Sequence, residues 1–211
     1  MGKAIFLGSF NPPHKGHYEV VKSIIDSGIM DDFNIKKIHV IPCYQNPNKA
    51  KFNTSFIARY KMCELMFTDL IISDKVIIDD IENDIKPKYT YDLIQYINTN
   101  NNSMIQKGFW WIITIETIKE LMEQKWKNSK ELLYENNFIV VGKDEKEWNN
   151  LLNQFMNYKS TIRAKFIKLN KVYNFHSTEI REKAKRGESI ADETCKYIDI
   201  YYRNIYELAL H

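Results

Sequence analysis

Residues 3–17 read KAIFLGSFNPPHKGH, and this stretch decides how the rest of the chain is interpreted. It opens with a nearly continuous apolar run that ends at Gly8, the pattern of a strand covered on both faces. A loop with two prolines follows, and then an amphipathic helix pattern over residues 17–27. The order strand, loop, helix predicts that the loop lies at the carboxyl edge of a parallel sheet, where ligands bind in open α/β folds.

The same alternation continues along the chain. Apolar, β-rich runs predict strands over residues 35–42, 75–81, 109–115, 137–142 and 164–169. Helical patterns occupy residues 55–69, 90–97, 116–122, 147–158, 177–185 and 192–208. Such alternation implies right-handed crossovers between parallel strands. We therefore expect one α/β domain over residues 1–211, a Rossmann-like three-layer sandwich with a mainly parallel sheet and a C-terminal helical segment from about residue 177 to residue 211.

Composition narrows the class of protein and its compartment. The chain has 211 residues, 44% of them hydrophobic, and a net charge of +3 with no clustered basic face, which argues against a nucleic-acid partner. Its three cysteines are far apart and odd in number, so neither a zinc site nor a disulfide framework is expected. Reduced thiols fit the cytoplasm or the nucleus. The apolar run at residues 4–7 is too short for a signal peptide or a membrane span, and we expect no membrane partner.

Two histidines, His14 and His17, give the first loop its chemistry. Gly8 allows the backbone to approach a ligand closely, and the amides of the following helix attract anions. Imidazoles facing a phosphate can donate hydrogen bonds as charge grows on its oxygens. The residues alone leave two alternatives open, an ordinary capped helix and a zinc site, although no third zinc ligand is evident.

A second motif, His176-Ser177-Thr178-Glu179-Ile180-Arg181, lies near the C-terminus. Ser177 or Thr178 is expected to cap a helix, with Arg181 in its first turn. An arginine there is unfavourable for the helix dipole unless an anion binds. The hydroxyl pair, the free amides and the arginine could together bind a second phosphate, but taken alone the pattern favours an ordinary capped helix with a solvated arginine.

Together the two motifs resemble a known family. The first matches the signature Gly-x-Phe-(Asp/Asn)-Pro-x-His-x-Gly-His of the nucleotidylyltransferase superfamily. The second is similar to the Ile-Ser-Ser-Thr-x-(Ile/Leu)-Arg element of nicotinate/nicotinamide mononucleotide adenylyltransferases, with His176 in place of a serine. The likeness covers nearly the whole chain. It implies transfer of AMP from ATP to nicotinate mononucleotide, which yields deamido-NAD and pyrophosphate, with Mg²⁺ entering on ATP.

The resemblance also implies site residues. The ATP-binding set is Gly8, Ser9, Phe10, His14, His17, Glu116, Ser177, Thr178 and Arg181. Three of these, His17, His14 and Arg181, are the expected catalytic residues. Asn11, Lys49, Thr90 and Trp126 are expected to bind the pyridine mononucleotide, and no residue is expected to ligate a metal. Arg59 is expected to reach a phosphate or to pair with a carboxylate, and Lys143 to lie near the adenosine or the triphosphate.

One departure from the family pattern keeps alternatives open. The strand over residues 109–115 leads into Thr114-Ile115-Glu116, where the family has Gly-x-Asp. This departure motivates one alternative, a nucleotide-binding protein without turnover. The stretch Gly8-Ser9-Phe10-Asn11-Pro12 also resembles dual-specificity enzymes, so a nicotinamide or dual-specificity enzyme is a second alternative. Another nucleotidylyltransferase is a third, because the His-x-Gly-His loop is shared across the superfamily. The sequence leaves the nicotinate preference and a homo-oligomeric state open.

Overall fold

Six parallel strands form one sheet in this computed structural model, which describes residues 2–45, 54–100 and 108–208. The strand order is β3-β2-β1-β4-β5-β6, and every neighbouring pair is parallel, where the sequence predicted a mainly parallel sheet. The strands are β1 (Gly2–Gly8), β2 (Ile35–Pro42), β3 (Val76–Ile78), β4 (Trp110–Thr114), β5 (Asn137–Gly142) and β6 (Arg163–Lys168). The order reverses between β1 and β4, so the loops after these two strands border the crevice in which such sheets bind ligands.

Helices cover both faces of the sheet. In the described residues they are α1 (Lys15–Asp26), α2 (Ile29–Asp32), α3 (Phe56–Met66), α4 (Thr68–Ile72), α5 (Ile81–Ile85), α6 (Thr90–Thr99), α7 (Ile115–Met122), α8 (Ser129–Glu135), α9 (Glu145–Gln154), α10 (Met156–Lys159), α11 (Ser177–Lys185) and α12 (Lys196–Leu208).

Alternation along the strands divides the core into two layers. Ala4 and Phe6 of β1 pack with α1, α3 and α12 on one face. Ile5 points to the opposite face, where α6, α7, α8 and α9 cover the sheet. Successive side chains of a strand point to opposite faces, so each strand contributes to both cores. The predicted three-layer α/β architecture is confirmed.

Three predicted boundaries are wrong because tertiary contacts override the helical pattern. The helix predicted over residues 55–69 breaks at Phe67, which is fully buried and stacks on Tyr18. The helix over residues 147–158 breaks at Phe155. The last helix starts at Lys196 rather than at residue 192, because the carbonyls of Asp192 and Glu193 accept hydrogen bonds from Lys15 of α1.

Strand β3 is shorter than the predicted run over residues 75–81. It ends at Ile78 because Asp79 turns the chain: its Oδ2 lies 2.8 Å from His39 Nδ1, and its Oδ1 accepts the Ile81 N–H at 3.0 Å. The second bond opens α5, one of three helices that the sequence did not predict. These helices, α2, α5 and α8, have four to seven residues, too few for a clear periodic signal.

A substitution at the end of β5 tests how tightly this edge of the sheet is packed. A Cβ added at Gly142 would lie 2.3 Å from Ile115 Cδ1, so Gly142→Ala should lower the free energy of unfolding by about 1–3 kcal/mol. Urea denaturation measures this. In an Ile115→Ala background the same change should cost much less, because the clashing atom is gone; an equal cost in both backgrounds would contradict the packing argument.

Candidate active site

The loop after β1, residues 9–14 and hereafter the first loop, is shaped by a buried aromatic ring. Phe10 has a left-handed backbone (φ 44°) and a fully buried side chain. A Cβ at Gly8 would lie 2.8 Å from Phe10 Cζ, so the glycine makes room for this ring rather than for a ligand. Phe10 was expected among the ATP-binding residues; its ring is buried and packs edge-on against the His17 ring, with the centroids 4.9 Å apart.

His14 and His17 form a stacked pair at the start of α1. Their ring centroids are 3.8 Å apart, and the His14 backbone N–H donates to His17 Nδ1 at 3.1 Å. Since Nδ1 accepts this bond, the neutral His17 ring carries its proton on Nε2. His17 therefore has an oriented N–H donor of the kind that a phosphate oxygen accepts.

His14 is neutral at physiological pH. Its side chain is buried, and burial, together with a smaller effect of the nearby His176, lowers its pKa to about 4. Within the described part of the chain, its Nδ1 is buried and has no hydrogen-bond partner. Buried polar atoms of this kind are rare, and a bound ligand would satisfy this one.

The second motif meets the first loop directly. Ser177 Oγ donates to the Pro12 carbonyl at 3.1 Å, and Arg181 Nη1 donates to the Asn11 carbonyl at 2.7 Å. Arg181 Nη2 also donates to Thr178 Oγ1 at 3.0 Å. The Asn11 side chain is buried, and its Oδ1 has no hydrogen-bond partner among the described residues. The structure thus brings the two sequence motifs together at the carboxyl edge of the sheet.

Helix α11 has the predicted bounds, Ser177–Lys185, but its capping residue differs from the prediction. Its N-cap residue is His176, not Ser177 or Thr178, because the Ser177 hydroxyl is engaged by the first loop. Arg181 is the fifth residue of this helix and so lies just beyond its first turn. His176, which the sequence marked only as a departure from the family pattern, lies close enough to His14 to lower its pKa.

The start of α1 offers an anion fewer amides than the sequence suggested. The Lys15 N–H, expected to point at a ligand, donates to the Glu193 carbonyl at 2.8 Å. Glu193 comes from the segment before α12, which no pattern in the sequence connects to α1. The amides at the start of α11 are therefore a second source of anion-binding donors beside this loop.

Glu116 and its neighbours follow β4, which pairs with β1. The Glu116 side chain is exposed in the first turn of α7. Thr114 caps that helix, since its Oγ1 accepts the Thr117 N–H at 3.4 Å. Parallel neighbours end at the same edge, so Glu116 lies on the edge that carries the first loop. Thr114 therefore has a structural reason to replace the family's glycine.

Two of the expected mononucleotide-binding residues lie on adjoining segments. Thr90 is the first residue of α6, and Trp126 lies between α7 and α8. Lys127 joins these segments, because its Nζ lies 4.5 Å from the Tyr89 ring centroid and 3.7 Å from an Asp92 carboxylate oxygen. Lys49, the remaining member besides Asn11, lies outside the described residues.

The Trp126 side chain is half-buried, and its Nε1 donates to Glu120 Oε2 at 2.9 Å. Trp111 lies in the core. Trp110, the preceding residue of β4, is half-buried and stacks on Phe33.

Arg59 is buried rather than aimed at a phosphate. Its Nη1 and Nη2 groups donate to the carbonyls of Ser9 and Tyr44 at 2.9 and 3.1 Å. The buried carboxylate of Glu82 acts on it electrostatically. Lys143, at the end of β5, is exposed. Glu82 was not identified from the sequence, because it lies in α5, a helix of five residues that is too short to give a periodic pattern.

Two further properties bear on ligands. In residues 2–45, 54–100 and 108–208, no group of three or more His, Cys, Asp or Glu side chains is arranged to hold a metal ion. A cavity of about 530 Å³ lies at the opposite, amino edge of the sheet, near Phe109, Asn137 and Arg163. In open parallel sheets ligands bind at the carboxyl edge, so this cavity is not the candidate site.

Within the described helices, none is long and apolar enough to cross a membrane.

Comparisons with known proteins agree with this geometry. Residues 5–183 match the model of the cytidylyltransferase-like family. The probable nicotinate-nucleotide adenylyltransferase of Fusobacterium nucleatum is 35% identical over 193 residues, which cover 89% of this chain and 90% of the relative. A Clostridium tetani protein of the same name is 28% identical and covers 90% of each chain.

Among solved structures, Plasmodium falciparum nicotinic acid mononucleotide adenylyltransferase complexed with NaAD has the same fold. Its TM-score is 0.72 at 20% identity, with 100% of this chain and 99% of that chain covered. By the match over residues 5–183 and the Fusobacterium relative, this chain belongs to the cytidylyltransferase-like family and, within it, to the nicotinate/nicotinamide mononucleotide adenylyltransferases.

Proposed function

We propose that this protein transfers AMP from ATP to nicotinate mononucleotide, forming deamido-NAD and pyrophosphate in NAD biosynthesis. It is a nucleotidyltransferase enzyme. The observation that carries the proposal is the pair of hydrogen bonds from Ser177 and Arg181 to the first loop, which unite the two motifs in one site. The name of the Fusobacterium relative, 35% identical over most of both chains, supports the substrate.

The reaction requires positioning and charge stabilisation rather than a protein nucleophile. A 5′-phosphate oxygen of the mononucleotide attacks the α-phosphorus of ATP, and the bond to the bridging oxygen of pyrophosphate breaks. Phosphoryl chemistry of this kind is accelerated mainly by in-line alignment and by donors aimed at the developing charge.

His17 and Arg181 supply those donors in different ways. The His17 Nε2–H is oriented by the bond that its Nδ1 accepts, and it donates to a phosphate oxygen. Arg181 keeps its positive charge, and its bonds to Asn11 and Thr178 use two of the five N–H donors of a guanidinium. His14, being neutral, contributes a hydrogen bond rather than a charge. Ser9, the amides of Ser177 and Thr178, and the backbone around Gly8 complete the ATP site.

Four residues bind the mononucleotide in this proposal. The Trp126 ring suits stacking on the planar pyridine base, and Thr90 donates a hydrogen bond at the start of α6. The unpartnered Asn11 Oδ1 accepts a hydrogen bond from the ligand. Lys49 binds a phosphate. On the ATP side, Glu116 accepts from ribose hydroxyls.

A divalent metal ion accompanies ATP in enzymes of this class, and we assign Mg²⁺. Mg²⁺ commonly keeps several waters and binds through substrate phosphates. It would enter on the oxygens of the triphosphate and would offset negative charge on the leaving pyrophosphate.

We further propose that residues 1–211 act as one nucleotidylyltransferase domain, because α11 binds the first loop of the same chain. We place the protein in the cytoplasm: the curated relatives named above are bacterial, so the nuclear alternative has no support from them.

The proposal is tested by product identification. The protein is incubated with ATP, Mg²⁺ and either nicotinate or nicotinamide mononucleotide, and the products are identified by mass. We expect deamido-NAD and pyrophosphate from the nicotinate reaction. A preference for the nicotinamide substrate would favour the alternative acceptor, and ATP binding by calorimetry without any dinucleotide would indicate a binding protein without turnover.

Replacing His17 tests its role in the transition state. His17→Ala should lower kcat by on the order of 100- to 1000-fold, the usual cost of one lost donor to a developing charge. Pyrophosphate release measures the rate, and circular dichroism verifies the fold. Lys22→Ala, a half-exposed position on the same helix, is the matched control and should keep full activity. Near-normal turnover of the His17 variant would refute the assignment.

The buried state of His14 predicts a pH dependence of stability. Its folded pKa, about 4, lies below the ordinary value of 6.5, so between these values the unfolded chain binds the extra proton. The His14 contribution to stability is complete above pH 6.5 and is lost as the pH falls toward 4. Urea denaturation at pH 5 and pH 7 should show a smaller difference for His14→Gln than for the wild type. An unchanged difference would contradict a buried neutral imidazole.

A further inference from the structure

Two buried charged residues, Arg59 and Glu82, lie beside the site without a role in the reaction described above. Their relative exposures are 1% and 4%. Charged side chains are almost never so deeply buried unless they are paired and hydrogen-bonded, because removing a charge from water is costly. The groups that contact Arg59 and Glu82 therefore indicate why these two side chains are buried.

Arg59 joins two segments that follow different strands. From α3 it donates through Nη1 to the Ser9 carbonyl at 2.9 Å and through Nη2 to the Tyr44 carbonyl at 3.1 Å. Its guanidinium also lies 5.6 Å from the Phe56 ring centroid. A guanidinium is planar and presents its donors in a rigid fork, so it holds two acceptors at a set separation.

Glu82 binds the backbone N–H of the same residue, Tyr44. From α5, its Oε2 accepts the Tyr44 N–H at 2.6 Å. Burial raises the pKa of Glu82 to about 7, while the Tyr44 N–H and the charge of Arg59 act in the opposite direction. Both bonds to Tyr44 are made with its backbone, so they do not depend on its side chain.

The clamped backbone groups lie where the predicted substrate-binding segments begin. Ser9 opens the first loop, two residues before Asn11. Tyr44 follows β2 and opens the connection that contains Lys49. Just before it, the Cys43 N–H donates to the Gly8 carbonyl at 2.8 Å. The two segments are thus fixed to each other at their first residues.

We propose that Arg59 and Glu82 are positioning residues, which hold the first loop, proposed to bind ATP, at one spacing from residues 43–45 at the start of the segment after β2, without touching either substrate. Ser9, Tyr44, Arg59 and Glu82 are called the loop clamp. This inference rests on the proposed function. Its importance follows from in-line transfer, in which a misplacement of about 1 Å can cost roughly 100-fold in rate.

The geometry makes the two residues unequal. Among the described residues, Glu82 accepts a hydrogen bond from Tyr44, in the segment that leads to Lys49, whereas Arg59 donates to both Tyr44 and Ser9. Loss of Glu82 should therefore affect the mononucleotide and spare ATP. Loss of Arg59 should affect both substrates.

Steady-state kinetics and calorimetry of Glu82 variants test the clamp. Glu82→Leu should raise the KM for nicotinate mononucleotide about tenfold, the equivalent of one hydrogen bond to a charged group. The Kd for ATP with Mg²⁺ should stay at the wild-type value. Glu82→Gln keeps an oxygen that accepts the Tyr44 N–H, so it should restore most of the lost affinity. Glu131→Leu, at an exposed position on α8, is the matched control and should change neither quantity.

Arg59 variants extend the test. Arg59→Leu should raise the mononucleotide KM and the ATP Kd together. Arg59→Lys keeps the charge but cannot reproduce the fork, so it should not recover the wild-type values. A folded Glu82→Leu protein with an unchanged mononucleotide KM would overturn the proposal. So would equal losses for both substrates in that variant, or a Glu82→Gln variant as impaired as Glu82→Leu.

Amide hydrogen exchange separates this inference from the function on which it rests. The Tyr44 N–H should be protected in the wild type and in Glu82→Gln, and should exchange faster in Glu82→Leu. If the wild type forms no dinucleotide, the proposed function fails, yet this exchange pattern still reports whether the clamp exists. Equal Tyr44 exchange in all three proteins would overturn the clamp itself.

Discussion

The hydrogen bonds from α11 to the backbone of the first loop are the contacts on which the site depends. They join residues 165 and 170 positions apart in the chain, and both use backbone carbonyls as acceptors. Without them, the edge of the sheet would carry the two histidines of the first loop but no side chains from α11. With them, Arg181 brings a permanent positive charge beside the histidine pair. This closure places side chains from both ends of the chain around one space, the site proposed for the triphosphate.

Burial decides how each group in that space can act. His14 is desolvated and therefore neutral, so it serves through hydrogen bonding. Arg181 is only half-buried and keeps its charge. His17 takes its orientation from the backbone N–H of His14. Whether a group can act through its charge or through an oriented N–H donor thus depends on its solvent access as well as on its residue type.

Behind the site, packing sets the spacing of the segments that carry the binding groups. Gly8 makes room for the Phe10 ring, and Gly142 makes room for Ile115, so two glycines near the binding edge serve neighbouring side chains. Arg59 and Glu82 add buried polar contacts that connect the segments after β1 and β2. Buried contacts of this kind are rigid, because interiors are close-packed and unpaired polar groups are expensive. The binding groups are thereby held at fixed positions around the substrates.

The class of fold, the order of the strands along the chain and the two motifs could all be predicted from the sequence, because buried strands and loop residues give local patterns. The position of the first loop at the carboxyl edge could be predicted as well, since strand-loop-helix order in a parallel sheet admits one location. Three features could not be predicted: His176 is the N-cap residue of α11, the Lys15 N–H donates to the Glu193 carbonyl, and Arg59 donates to the Ser9 carbonyl. Each of them depends on contacts between groups that are far apart in the chain and on how far those groups are removed from water, and local patterns contain neither.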